Sequence, residues 1–348
     1  MTARSILGLW AVCSLTGGSV LSAQTPRDTG TTVIRAGHIF DSEQGTLSGP
    51  QQILIVNGVI AQVGAKLSAH RGARVIDLSQ YTVLPGLIDA HTHLLLLQEP
   101  ALIFMPDGNT LDGIRAVAVE GTPLRALHGA ARARTFLNAG ITTVRDLGNA
   151  GRFGDVALRN AIQDGSVDGP RMWVSGPGLS PPGGQYPGLQ PAWQGIAEEE
   201  YRIVRSPGDA ALAVAQNVNL GATVIKIYSD AYPTYLSSAE IEAVVAAARL
   251  HDVRVAAHAV VDASVWRAAA AGVNSIEYGY DVADSTLQLM AERGVMLVPT
   301  DGDSLSGALF VQRAKGGPRM AQQMSEFTKA SHARLQRAIK AGVIIAAG

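Results

Sequence analysis

Val83-Leu84-Pro85-Gly86-Leu87-Ile88-Asp89-Ala90-His91-Thr92-His93 is the stretch on which the fold turns. A Pro-Gly turn feeds a short apolar run that ends in two histidines two residues apart. Side chains alternate across a strand, so His91 and His93 leave it on the same face. If that face is inward, two imidazoles converge on one point, which is ligand geometry for a divalent ion. Two chance histidines on a half-exposed strand are the bland alternative, and the context of the run weighs against it.

Outward from this run toward the C-terminus, strands alternate with helical segments. Apolar runs at 84–93, 141–147, 171–175, 223–228, 253–258, 275–278, 295–299 and 343–347 read as strands. Alanine-rich amphipathic stretches at 126–138, 238–250 and 263–271 lie between some of them. Gly140, Gly272 and Gly342 stand where a helix gives way to the next strand. Eight strands in this alternation predict an α/β fold of the (β/α)8 TIM-like barrel type over 85–348, with an open doubly wound sheet as the alternative. Toward the N-terminus, 24–84 breaks into short apolar runs with Asn57-Gly58 between two of them, a hairpin signal. This part reads as a small β-sandwich domain. The segment 180–191, rich in Pro and Gly, reads as a mobile or active-site loop.

Residues 1–23 carry Arg4, an apolar run from Ile6 to Val12 and a cleavage-like Leu21-Ser22-Ala23, so export to the periplasm or cell exterior is expected. The single cysteine, Cys13, lies in that segment, which excludes a disulfide framework in the processed chain. The 348 residues are 47% hydrophobic and 16% charged with a formal net charge of -1. That balance offers no electrostatic footprint for nucleic acid or an anionic membrane. A small-molecule substrate is the implied partner, stable membrane insertion is not, and self-association is left open.

The chemistry-bearing residues fall at strand ends, where such barrels place their active sites. Lys226 interrupts the apolar run 222–228, and a lysine buried there either loses its proton or snorkels out. Carboxylation would make it an anionic bridge between two metals. Tyr228 shares its parity and is a candidate substrate contact or proton donor. His258 ends 254–258 among small residues that leave room for an ion. Arg145 and Asp146 read either as a carboxylate clamp or as a pair with each other, the second being preferred. The remaining histidines, His38, His70, His128, His251 and His332, read as surface or helix residues.

GLIDAHTHL (86–94), GITTVRDLG (140–148), GPRMWVSG (169–176), 224–228, AAHA (256–259) and GVNSIEYG (272–279) together resemble the amidohydrolase superfamily, in its imidazolonepropionase-like and prolidase-like dipeptidase branch. The resemblance implies a metal-dependent hydrolase of C–N bonds in a dipeptide or cyclic amide. It implies one ion on His91, His93, Lys226 and an aspartate, and a second on Lys226, His258 and a further histidine. Zinc is the favoured ion, with manganese or cobalt close behind, and Lys226 would be N-carboxylated. Tyr278 stands where the family has that histidine, as a phenolate ligand or a substrate contact. The family's aspartate would follow Gly348, so the sequence reads as a C-terminally truncated fragment. A catalytically impaired or non-catalytic barrel that binds ligand or metal without turnover is the competing reading, and a deaminase is a third.

Overall fold

The computed structural model describes residues 30–67, 72–96, 114, 117–231 and 233–348. The expected export segment lies outside these, as does His70. The described residues divide into two compact units, those within 1–39 and 48–82, and those within 40–47 and 83–348.

The smaller unit is built on an antiparallel sheet. Strand β1 (Thr31–Asp41) pairs with β3 (Gln51–Val56) and β5 (Arg74–Val83), and β4 (Val59–Gly64) pairs with β3, while Phe40 and Asp41 at the end of β1, already in the larger unit, pair with β2 (Thr46–Leu47). The β3–β4 hairpin turns on Asn57 at φ 53° and Gly58 at φ 76°. Two successive left-handed residues make the turn whose twist matches that of paired strands, which is why Asn-Gly marks it.

The larger unit is a parallel barrel. Strands β6 (Leu87–Thr92), β7 (Ile141–Asp146) and β8 (Arg171–Val174) are consecutive neighbours. Strands β9 (Gly178–Ser180) and β10 (Tyr201–Ile203) extend the next sheet, which continues through β11 (Val224–Tyr228), past the short hairpin β12 (Asp230–Ala231) and β13 (Thr234–Tyr235), to β14 (Arg254–Val261), β15 (Ser275–Asp281) and β16 (Met296–Val298). The amide of Thr223 donates to the Val174 carbonyl at 2.8 Å and joins the two sheets. The eighth stretch closes the ring, because the Leu297 amide donates to Ile344 at 2.9 Å and the Ala90 amide to Ala347 at 2.8 Å. All eight runs expected from the sequence therefore lie around the barrel, while β9 and β10 are additional.

Alternation sorts the side chains. Along β11, Ile225 and Ile227 join Val255, Ala257 and Ile276 in the core between strands and helices. Val224 packs instead with Ala256 and Leu147 in the barrel interior. Lys226 and Tyr228 share the parity of Val224 and so rise toward the mouth.

The surrounding helices are α1 (Gly121–Asn138), α2 (Gly154–Gln163), α3 (Gln194–Glu200), α4 (Pro207–Asn219), α5 (Ser238–Leu250), α6 (Asp262–Ala271), α7 (Asp284–Arg293), α8 (Ser304–Arg313) and α9 (Pro318–Lys340). Helix α5 starts on a capping box, in which Ser237 accepts from the Glu240 amide and Glu240 accepts from the Ser237 amide. Gly140, Gly272 and Gly342 lie at φ 87°, 86° and 84°, the left-handed exit that ends a helix with little steric cost when the residue lacks Cβ. None of the described helices is long and apolar enough to cross a membrane.

Candidate metal centre and barrel mouth

His91 and His93 do leave β6 on one face, and their Nε2 atoms stand 3.1 Å apart. The other nitrogen of each ring is committed. His91 Nδ1 donates to the Glu277 carboxylate at 2.8 Å, and His93 Nδ1 donates to the Gly148 carbonyl at 2.9 Å. Both partners are acceptors, so both protons sit on Nδ1 and both Nε2 atoms present lone pairs. Burial, with the Lys226 charge next, holds His91 down to about 4. Burial and the neighbouring His91 hold His93 down to about 3. Neutral rings with facing lone pairs repel unless a cation or a donor stands between them. The Tyr278 hydroxyl supplies one donor, to His91 Nε2 at 3.2 Å.

Glu277 fixes the orientation. Its other oxygen accepts from Arg145 at 2.8 Å and from the Ser275 hydroxyl at 2.6 Å, and Arg145 also donates to the Ala90 carbonyl at 2.6 Å. The guanidinium and His91 overcome the burial penalty and pull the Glu277 carboxyl down to about 2. The expected Arg145–Asp146 pair is therefore wrong. Arg145 crosses the barrel interior to Glu277, whereas Asp146 accepts from the Leu94 amide at 2.6 Å and the Thr92 hydroxyl at 3.2 Å. Burial, with Asp155 adding to it, raises the Asp146 carboxyl well above its ordinary value.

Lys226 is fully buried, and its Nζ has no hydrogen-bond partner. Burial lowers its ammonium from 10.5 to about 7, so a neutral amine is accessible near neutral pH. Tyr228 is seated between two glycines. A Cβ on Gly178 would lie 2.5 Å from the Tyr228 ring, and one on Gly148 would lie 3.3 Å from its hydroxyl. That hydroxyl donates to Asn149 Oδ1 at 3.0 Å, and Asn149 in turn donates to Tyr201 at 3.1 Å.

His258 stands apart from the first two imidazoles. Its Nε2 lies 3.4 Å from Asp230 Oδ1, and Asp230 is itself held by the Val260 amide at 2.8 Å and by the Ser264 hydroxyl. Tyr278 touches both sides, with ring centroids 5.0 Å from His91 and 4.7 Å from His258. By strict alternation Tyr278 would face outward, since Ile276 does and Glu277 faces in. A left-handed φ of 77° at Tyr278, followed by Gly279 at 53°, turns its ring into the mouth. Burial raises its phenol, which favours the neutral form while no ion is bound.

The sequence reading missed Glu277, Asp230 and Asn149. A charge inside the apolar stretch 275–279 was the available signal for the first. The loop 180–191 has a buried Tyr186 that packs on Tyr201 with centroids 5.6 Å apart. It lines a cavity of about 240 Å³ together with Ala231 and Thr234.

Among the described residues, no group of three or more His, Cys, Asp or Glu side chains is placed to hold a metal ion. The donor set is two imidazole lone pairs beside an unpartnered lysine, and it would fit one divalent ion once a water, or a carboxylate formed on Lys226, supplies oxygen.

The pattern described as "Amidohydrolase family" matches residues 82–348. A dihydroorotase of Geobacter sulfurreducens is 38% identical over 89 residues, 26% of this chain and 20% of that protein. The match thus spans about a fifth of the length of that relative. The ochratoxinase of Aspergillus niger is 26% identical over 347 residues, 91% of this chain and 68% of its own. A prolidase solved in complex with N-methylphosphonate-L-proline superposes with a TM-score of 0.76 at 29% identity, over 91% of this chain and 78% of that one.

Proposed function

The chain belongs to the amidohydrolase family, and on that premise we propose that it is a metal-dependent hydrolase cleaving an amide-like C–N bond in a small substrate such as a dipeptide or cyclic amide. The observation that carries the reading is the 3.1 Å approach of two Nε2 atoms whose Nδ1 protons are both spoken for. A divalent ion, zinc in this proposal, polarises a substrate carbonyl and lowers the pKa of a water when bound there. His91 and His93 supply Nε2 to it, with Glu277 and Gly148 holding the tautomers. Lys226, whose neutral amine is accessible near pH 7, would become an oxygen donor when N-carboxylated. His258, with its Nε2 3.4 Å from the buried Asp230 Oδ1, would supply a second, weaker position. Tyr228, with its proton given to Asn149, orients the substrate through its oxygen rather than acting as the acid. The proposal also takes the chain to be exported, on the strength of residues 1–23.

Activity against a panel of dipeptides and cyclic amides should vanish on chelation, return with zinc, and be lost in His91→Ala. Undiminished turnover in that variant overturns the reading. One observation favours the competing reading of a binding barrel without turnover: the Tyr278 hydroxyl already occupies the His91 lone pair. Zinc bound at one equivalent with no metal-dependent turnover on the panel would decide for it.

A further inference from the structure

Four rings run in unbroken contact from the metal centre to the rim of the barrel. His258 meets Tyr278 at a centroid distance of 4.7 Å, Tyr278 meets Tyr280 at 5.6 Å, and Tyr280 meets Phe327 at 4.9 Å. His258, Tyr278 and Tyr280 are each only partly buried, and Phe327 at the far end is 37% exposed. Single exposed aromatics on a surface need no explanation, but a contiguous, partly open run of rings beside a reactive centre can serve as a binding surface.

The wall is also held in place. Tyr278 keeps its direction through a left-handed backbone, φ 77°, which a tyrosine adopts only under constraint. Tyr280 is two residues further along β15, and its hydroxyl is tied to Thr300 Oγ1 at 3.1 Å. Thr300, two residues past β16, is again left-handed, at φ 52°. Left-handed backbone at Tyr278 and at Thr300, the residue that anchors Tyr280, is the kind of strain a protein keeps for function. A cation is the other ligand that aromatic faces attract. Here the two charges that act on Tyr280, Asp301 and Arg334, are paired with each other at 2.6 Å, which leaves no net charge beside the wall to favour a cation.

Resting on the hydrolase reading, we propose that the substrate carries a neutral aromatic ring on the side of its scissile bond that faces β15, and that Tyr280 and Phe327 hold this ring edge-to-face. Aliphatic groups of equal size fill the same space without matching the ring quadrupoles.

The test uses ketones that lack a scissile C–N bond, so it reads binding whether or not the chain turns anything over. 4-Phenylbutan-2-one, 4-cyclohexylbutan-2-one and 4-(trimethylammonio)butan-2-one are titrated calorimetrically into the zinc-loaded protein. The phenyl ketone is expected to bind about three- to tenfold tighter than the cyclohexyl one, from the aromatic contact alone. Tyr280→Leu and, separately, the conservative Phe327→Leu at the exposed end should bring that ratio close to one. Equal or tighter binding of the cyclohexyl ketone, tightest binding of the ammonium ketone, or a ratio unmoved in both variants overturns the proposal. Failure of the hydrolase reading would show instead as absent turnover on the amide panel with the phenyl preference intact.

Discussion

Replacing Glu277 by glutamine removes one charge and leaves the shape almost untouched, so the result isolates what that charge does. The carboxyl lies near 2 rather than at its ordinary 4.5. At about 1.4 kcal/mol per pH unit, the ionised form adds roughly 3 kcal/mol to the fold. A second route gives a similar figure, since breaking a buried ion pair by deleting one partner costs about 3–5 kcal/mol. The orphaned partner here is Arg145, which would keep only the Ser275 hydroxyl and the Ala90 carbonyl.

The amide also carries a directional consequence. Glutamine has one oxygen and one NH2, while Glu277 accepts on both oxygens, from Arg145 and from His91. With NH2 toward Arg145, two donors collide. With NH2 toward His91, Nδ1 must become the acceptor, the proton moves to Nε2, and the lone pair offered to a metal is lost. Either outcome weakens the ion, by about 10–100-fold on the usual scale for such supporting groups. Chemical denaturation and zinc competition against a chelator read the two effects separately. The Glu277 increment is present above pH 4.5 and is lost as pH falls through about 2, because the unfolded chain binds the proton first. Glu277→Gln should lack that acid-labile portion. Stability within about 1 kcal/mol of wild type, together with unchanged zinc affinity, would refute the reasoning.

Three further outcomes are expected. Asp146, already inclined to its protonated form by burial, should accept Asp146→Asn with little change in denaturation midpoint. Asp146→Ala, which strands the Leu94 amide and Thr92 hydroxyl, should cost about 1–3 kcal/mol. Gly178→Ala drives a methyl into the Tyr228 ring at 2.5 Å and should cost about 1–3 kcal/mol by overpacking, measured by thermal unfolding. Tyr278→His puts an imidazole in contact with both His91 and His258. Elemental analysis after dialysis should then rise from one tightly held zinc toward two, whereas two tight ions in the wild type would contradict the weak second position.

The parts of the site that could be read in advance are those encoded within a single strand. His91 and His93 share a face because they are two residues apart, and Lys226 is visible because a charge interrupts an apolar run. The same logic located the runs that make up the barrel, the last as a bridge at Ile345, since each carries its own apolar pattern and its own glycine or turn. Glu277 lies outside that logic. Its partners are Arg145, 132 positions away, and His91, 186 positions away, so its role exists only once the ring has closed. Arg145 was assigned to its sequence neighbour Asp146 for the same reason: proximity along the chain is the only proximity a sequence displays.

Tyr278 fails differently. Alternation sends it outward, and only a positive φ, stabilised by Gly279 and by packing at the end of β15, brings it round. Rules of periodicity thus hold where the backbone is regular and lapse where it is strained. In this barrel the strained residue places its hydroxyl on the His91 lone pair and its ring in the aromatic wall. The departure from pattern therefore falls where the proposed second metal position and the proposed ring-binding wall meet.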